Sequence, residues 1–379
     1  MHESDPPVSP VWDGLLRDID SGCRRCAAAI EKLVHPELEP HRRRAVETLS
    51  EIEAAVEEAL EQQATSAVDL ALLGALGGEL DIFRRAHLPF FAHYGSDERY
   101  LTLLARHLAD EAGFTIHRPI LGTFSSAGYW TNPSLSTICL PSGDHAQVLA
   151  LPDLVHELAH LLLHETEAGL RQRLLSDSIG PYANGLGPVD GDAEFASRLY
   201  YKYWDWATEL IADATAAFVC GPSYGWQHIR LCAQSSGEAG QAWLPAAPPG
   251  PAQSAERFTH PADSARMSVI ATVLSETGQQ AGADRLQDEW AALTAHAGAA
   301  PATYTVSYPA SVLHDVATMT LEWCRAKELV AFADAEDDAI VRHVDRAWTQ
   351  QLANPVIFAQ SEAKRVSELR AVIESAPGS

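Results

Sequence analysis

Positive charge is scarce in this sequence: 27 Lys and Arg stand against 51 Asp and Glu, a formal net charge of −24. A surface that acidic repels polyanions, so nucleic acid and anionic membranes are not expected as partners. Long apolar runs are missing as well. The stretch from Val68 to Leu80 is interrupted by Asp69 and by glycines, short of the roughly 20 apolar residues that span a bilayer. The N-terminus, Met1-His2-Glu3-Ser4-Asp5-Pro6-Pro7, lacks the basic start and apolar centre of a signal peptide. These absences lead us to expect a cytoplasmic protein. Six cysteines in 379 residues are too few for a disulfide framework. Cys23 and Cys26 form one C-x-x-C with no second pair. They read as helix-surface or core thiols, with a redox or metal role as the sharper alternative.

What is present describes a globular chain, since 46% of the residues are hydrophobic and only 21% charged. After a Pro-rich tail, residues 11–110 carry apolar residues at three- and four-residue steps, as in Val46, Leu49, Ile52, Val56 and Leu60. Pro36 and Pro40 break the first two helices. Further helices are expected over 67–86 and 97–112. The period then changes. Thr115 to His117, Ala127 to Trp130 and Thr137 to Leu140 are short, β-branched or aromatic, with Asn132-Pro133 as a turn. They predict a small antiparallel sheet. Residues 176–196 are rich in Gly, Pro, Asp and Asn and read as a loop or lid. The segment 235–257 reads as a linker, and a C-terminal helical region follows with breaks near Pro309 and Pro355. The expected organisation is a helical region over 1–112, a sheet-and-helix core over 113–234, the linker, and a helical region over 258–379. The fold class is mainly α with a small antiparallel β-sheet.

The chemistry is concentrated in Val155-His156-Glu157-Leu158-Ala159-His160. Positions i and i+4 of a helix share a face, so His156 and His160 can offer two imidazole nitrogens to one ion. Glu157 is placed to reach a water on that ion, the arrangement used for Zn²⁺ with a carboxylate general base. A catalytic zinc takes a third protein ligand. His164, Glu165 and Glu167 are near in sequence, Asp153 precedes the motif, and Glu209 lies on a later helix. Glu209 is favoured, because it stands in the otherwise apolar Leu210-Ile211-Ala212 context with Asp213 on the same face. Buried carboxylates need a cation or hydrogen bonds. Glu209 as ligand, with Asp213 accepting the other ring N–H of a ligating histidine, supplies both. The aromatic run Tyr200 to Trp206 reads as core packing at a helix start, or as a wall of the cleft. Tyr129, Tyr203 and Tyr224 are the candidate substrate contacts, the last two also as donors to an oxyanion.

His156-Glu157-Leu158-Ala159-His160 followed by Glu209-Leu210-Ile211-Ala212-Asp213 resembles the gluzincin metallopeptidases. Thr259-His260-Pro261 with Arg266 is similar to the Thr-His-Pro…Arg element of HtpX-type and CAAX prenyl proteases. His-Glu-Leu-Ala-His-Leu-Leu-Leu-His also looks like ImmA/IrrE-type peptidases. The resemblance covers roughly residues 125–275. It implies a zincin-like core, one Zn²⁺ per chain, a protein or peptide substrate, and His260 as an oxyanion donor, with Arg266 fixing that loop or binding substrate. HtpX-type and CAAX prenyl proteases carry transmembrane helices and this sequence has no such run, so their substrates are not implied. Two other classes share the same residues: an iron-dependent peptide-modifying oxygenase with two histidines and one carboxylate, and a non-catalytic metal-binding regulator. Glu157 argues against the last, since a structural ion needs no general base.

Overall fold

In a computed structural model, residues 10–32, 35, 38–62, 70–123, 129–141, 147–166, 169–186, 194–235 and 260–375 are described. Amphipathic spacing yields helices α1 (Pro10–Ile30), α2 (Glu39–Gln62) and α5 (Ser96–Ala112), and between the last two stand the apolar α3 (Leu70–Ile82) and the short α4 (Leu88–His93). Three short strands follow, β1 (Ile120–Gly122), β2 (Trp130–Asn132) and β3 (Thr137–Cys139). Next come α6 (Leu151–Glu165), α7 (Gly169–Leu174), α8 (Gly180–Gly185), α9 (Phe195–Cys220) and α10 (Pro222–Ser235). The C-terminal helices are α11 (Asp263–Glu276), α12 (Gln280–Thr294), α13 (Ala302–Ser307), α14 (Ala310–Ala326), α15 (Ile340–Ala353) and α16 (Pro355–Ser375). The protein is therefore mainly helical with one small sheet. Among the described residues no helix is long and apolar enough to cross a membrane.

The sheet is mixed, and this corrects the antiparallel expectation. β2 and β3 pair antiparallel, Thr131 opposite Ile138, whereas β1 lies parallel to β3 with Leu121 opposite Ile138. The strand order is β1-β3-β2. A turn at Asn132-Pro133 is local chemistry, and there the chain makes one 3₁₀ turn with Asn132 Oδ1 accepting from Leu135 N at 3.2 Å. Parallel pairing of β1 joins residues distant in sequence and leaves no local mark. Thr115 to His117 forms no strand: the His117 N–H is drawn instead to the Glu165 carboxylate at 2.8 and 2.9 Å. The described part of the expected loop over 176–196 is largely helical, a π-turn over Leu175–Ile179 running into α8. Leu170, Leu174, Ile179 and Ala183 are buried there, so apolar burial overrides the Gly and Pro signals. Residues 1–9, 142–146, 187–193 and 236–259, hence most of the expected tail and linker and a third of the expected loop, lie outside the described residues.

Two apolar cores flank the sheet. One gathers α1 to α4 through Leu16, Ile30, Leu49, Val56 and Phe90, and takes Ile120 and Cys139 from the strands. The other runs from α5 to α16 and takes Leu121 and Ile138. Alternate strand residues point to opposite faces, so β1 and β3 each feed both cores. Cys23 and Cys26 are buried in the first core, as core thiols. In the larger core α9 packs against α6, α11 and α14, which makes it the central post of the site. It stops at Gly221, whose φ of +63 suits glycine. A Cβ there would meet the Phe332 ring at 2.6 Å.

The cleft strand is tied to the first core by a neutral imidazole. Asn132 Nδ2 donates to His87 Nε2 at 3.0 Å. Burial lowers the His87 pKa to about 4, while the unfolded chain binds its proton near 6.5. Between those values the unfolded state holds more protons, so stability is lost as pH falls. The loss reaches roughly 3 kcal/mol at pH 4 for this one residue. Denaturant midpoints measured from pH 7 to pH 4 should fall less steeply in His87→Gln than in the parent; equal slopes would remove His87 from this role.

Candidate metal centre

His156 and His160 lie one turn apart on α6, a run of strong helix formers that begins just before Pro152. Glu209 and Asp213 lie one turn apart on α9. Packing of α9 on α6 turns these two pairs toward each other. His156 Nε2 is 3.0 Å from His160 Nε2 and 3.4 Å from Glu209 Oε2, and His160 Nε2 is 3.5 Å from Glu209 Oε1. A tetrahedral ion with bonds of about 2.0–2.1 Å holds its ligand atoms about 3.3 Å apart. The three side chains meet that spacing within a few tenths of an ångström. Glu209 Oε2 is also buried with no hydrogen-bond partner, an orphaned acceptor that a cation would satisfy. The donor set of two imidazoles and one carboxylate fits Zn²⁺.

Behind these residues lies a closed polar network. Asp213 is fully buried. Arg266 grips it with two bonds of 2.7 Å, from Nε to Oδ2 and from Nη2 to Oδ1. Tyr224 O–H donates to Asp213 Oδ1. His156 Nδ1 stands 3.1 Å from Asp213 Oδ1 and 2.9 Å from the Tyr224 oxygen. With its Nδ1 proton held by this acceptor, His156 directs Nε2 at the gap between Glu209 and His160, where a bound ion would take the place of the Nε2 proton. Burial works against charging His156, but Asp213 and Glu209 outweigh it and raise its pKa to about 10. Burial also disfavours the charged carboxylates. His160 and His156 nonetheless hold Glu209 well below the usual range, and Arg266 does the same for Asp213.

Glu157 lines the same cleft as His156, His160 and Glu209, and there Thr131 Oγ1 on β2 donates to its Oε2. The cleft has a volume of about 570 Å³ and is lined by Tyr129, Thr131, Glu157, Arg171, Thr208 and His260 among others. His260 stands just before α11, half exposed, with Nε2 3.5 Å from Glu209 Oε2. Thr259 lies outside the described residues.

Two expected substrate contacts are corrected. Tyr203 is fully buried, packs on Trp206 and Tyr308, and donates its O–H to the Ser307 carbonyl at 2.6 Å. It fills the core, as aromatic runs commonly do. Tyr224 is likewise buried and serves Asp213 and His156. Tyr129 does line the cleft. The other ligand candidates are engaged elsewhere or displaced: Asp153 accepts from Gln227, Glu165 binds the His117 backbone, and His164 is exposed at the cleft wall. Glu167 lies outside the described residues. Thr131 and Arg171 carried no signal in the sequence, because their importance comes only from which neighbours the fold gives them. No family model, no curated protein and no solved structure matches the chain.

Asp213→Asn keeps the shape of the network and removes its charge. It should weaken zinc binding about 10–100-fold, as losses behind a ligating histidine do. Competition with a chromophoric chelator measures this. An unchanged affinity would mean that Asp213 serves Arg266 alone.

Proposed function

We propose that this protein is a zinc-dependent peptidase of the gluzincin type, hydrolysing a protein or peptide substrate. The observation that carries the reading is the convergence of His156, His160 and Glu209 at metal-ligand spacing beside Glu157, in one cleft. Zn²⁺ held by His156, His160 and Glu209 would supply a Lewis acid and a water acidified toward neutrality. Glu157 then has one task at two moments: it takes the proton of the attacking water, and it passes that proton to the departing amine. Thr131, donating to one carboxylate oxygen, keeps the other directed at the cleft. His260, on the wall beside Glu209, is the donor for the tetrahedral oxygen that develops.

The sheet fits the same reading. β2 ends the strand order and pairs on one side with β3. An extended peptide laid along its outer edge would be held by main-chain hydrogen bonds. Tyr129 and Thr131, on and beside that strand, line the cleft. A zincin-like core around α6, α9 and this sheet is part of the proposal.

The test is metal content together with peptide-library cleavage by the parent protein and Glu157→Gln. Zinc with cleavage in the parent alone supports the reading. Iron with oxidised and uncleaved peptide would replace it by the oxygenase alternative.

A further inference from the structure

A second group of metal-binding side chains lies outside the cleft. His228 and Cys232 are one turn apart on α10, and Asp263 is the first residue of α11. His228 and Cys232 are buried, and Asp263 is half-buried. His228 Nε2 is 3.6 Å from Cys232 Sγ and 3.9 Å from Asp263 Oδ1, and the three ligand atoms all lie within 4.8 Å of one another. The longer contact is beyond hydrogen-bond reach, the shorter one is at best a weak thiol bond, and the Cys232 thiol also turns to the Asp263 carboxylate. The three side chains thus face one point, and an ion there would replace these contacts, with Asp263 closing in by a few tenths of an ångström. With Zn–S near 2.3 Å and Zn–N near 2.0–2.1 Å, a tetrahedral ion sets sulfur and nitrogen about 3.6 Å apart.

We propose that His228, Cys232 and Asp263 bind a second zinc ion that clips α10 to the start of α11. Thiolate and imidazole select zinc over magnesium or calcium, and the single carboxylate is compatible with it. On binding, the Cys232 S–H bond breaks, its proton leaves to solvent, and the sulfur electron pair forms the bond to the ion. Three protein ligands would leave one position for water.

The place of this clip gives it a purpose. Asp263 lies three residues after His260, which lines the cleft, and three before Arg266, which grips Asp213. Fixing Asp263 therefore fixes the segment that carries both. Residues 260–262 precede α11 outside the helix, with the Ala262 N–H donating to the Tyr308 hydroxyl at 3.1 Å. An ion at their end would add a second rigid point.

Cobalt separates the two sites, because a cobalt–thiolate bond gives an intense near-ultraviolet charge-transfer band and a site of two histidines and a glutamate does not. Zinc-saturated parent protein should hold about two ions per chain, and Glu209→Ala and Cys232→Ser about one each. Cobalt-loaded parent and Glu209→Ala should show the thiolate band, and Cys232→Ser should lose it. Asp263→Asn, with the thiol kept, should weaken cobalt binding at that band. If Cys232→Ser does not fold, the parent and Glu209→Ala spectra still decide. A saturated parent without the thiolate band overturns the clip, whatever the first site does. A thiolate band with one ion per chain and no peptidase activity would keep the clip and remove the peptidase reading.

Discussion

Glu157→Gln should retain its zinc and lose hydrolysis by roughly 10²–10⁴-fold in kcat, the usual worth of a positioned general base. Glutamine has the shape of glutamate, so its amide oxygen can still accept from Thr131 Oγ1 and the cleft wall keeps its form. None of the three metal-ligand atoms belongs to Glu157. What disappears is a group able to take a proton. Because substrate contacts are left in place, kcat and kcat/KM should fall together while KM stays within a few-fold, the pattern of an interaction made only in the transition state. Zinc analysis and steady-state kinetics on the same preparation check both halves. Turnover at the parental rate in a preparation free of contaminating peptidase would show that the base is another residue.

Glu209→Ala should have the larger effect on the ion itself. It removes one of the three proposed ligand side chains, the only carboxylate among them. The two remaining imidazoles, 3.0 Å apart on one helix, cannot close a tetrahedral site by themselves. The expected loss of affinity exceeds the 10–100-fold predicted for Asp213→Asn, which only loosens a ligand. Zinc at this site should fall to background after dialysis, with circular dichroism unchanged because α9 gains a better helix former. Full occupancy of the cleft site in this variant would assign the third ligand elsewhere.

How far these residues could be read in advance follows from the range of the signals. Both i, i+4 pairs are local, so the helix period places His156 with His160 and Glu209 with Asp213. An acidic residue inside an apolar helix marks Glu209 because burial without a partner is costly. The stop at Gly221-Pro222 is equally local. The sheet was legible in its hairpin and not in its parallel edge, since the β1–β3 pairing depends on a crossover with no sequence period. Tyr224 and Thr131 were out of reach for the same reason. A tyrosine in an α-helix does not announce whether its hydroxyl meets substrate or a buried carboxylate until the neighbouring helix is in place. Residues 175–185 show the converse: glycine and proline mark a loop by composition, yet buried Leu174, Leu175 and Ile179 commit the chain to helical turns.

Asp213 receives Arg266 twice and Tyr224 once, and it faces a nitrogen of His156. A carboxylate engaged on both oxygens has little freedom left to rotate. The imidazole it orients is therefore held in one direction by the fold itself. If that imidazole binds zinc as proposed, the entropy of gathering these groups is settled when the chain folds, and little of it is charged to binding.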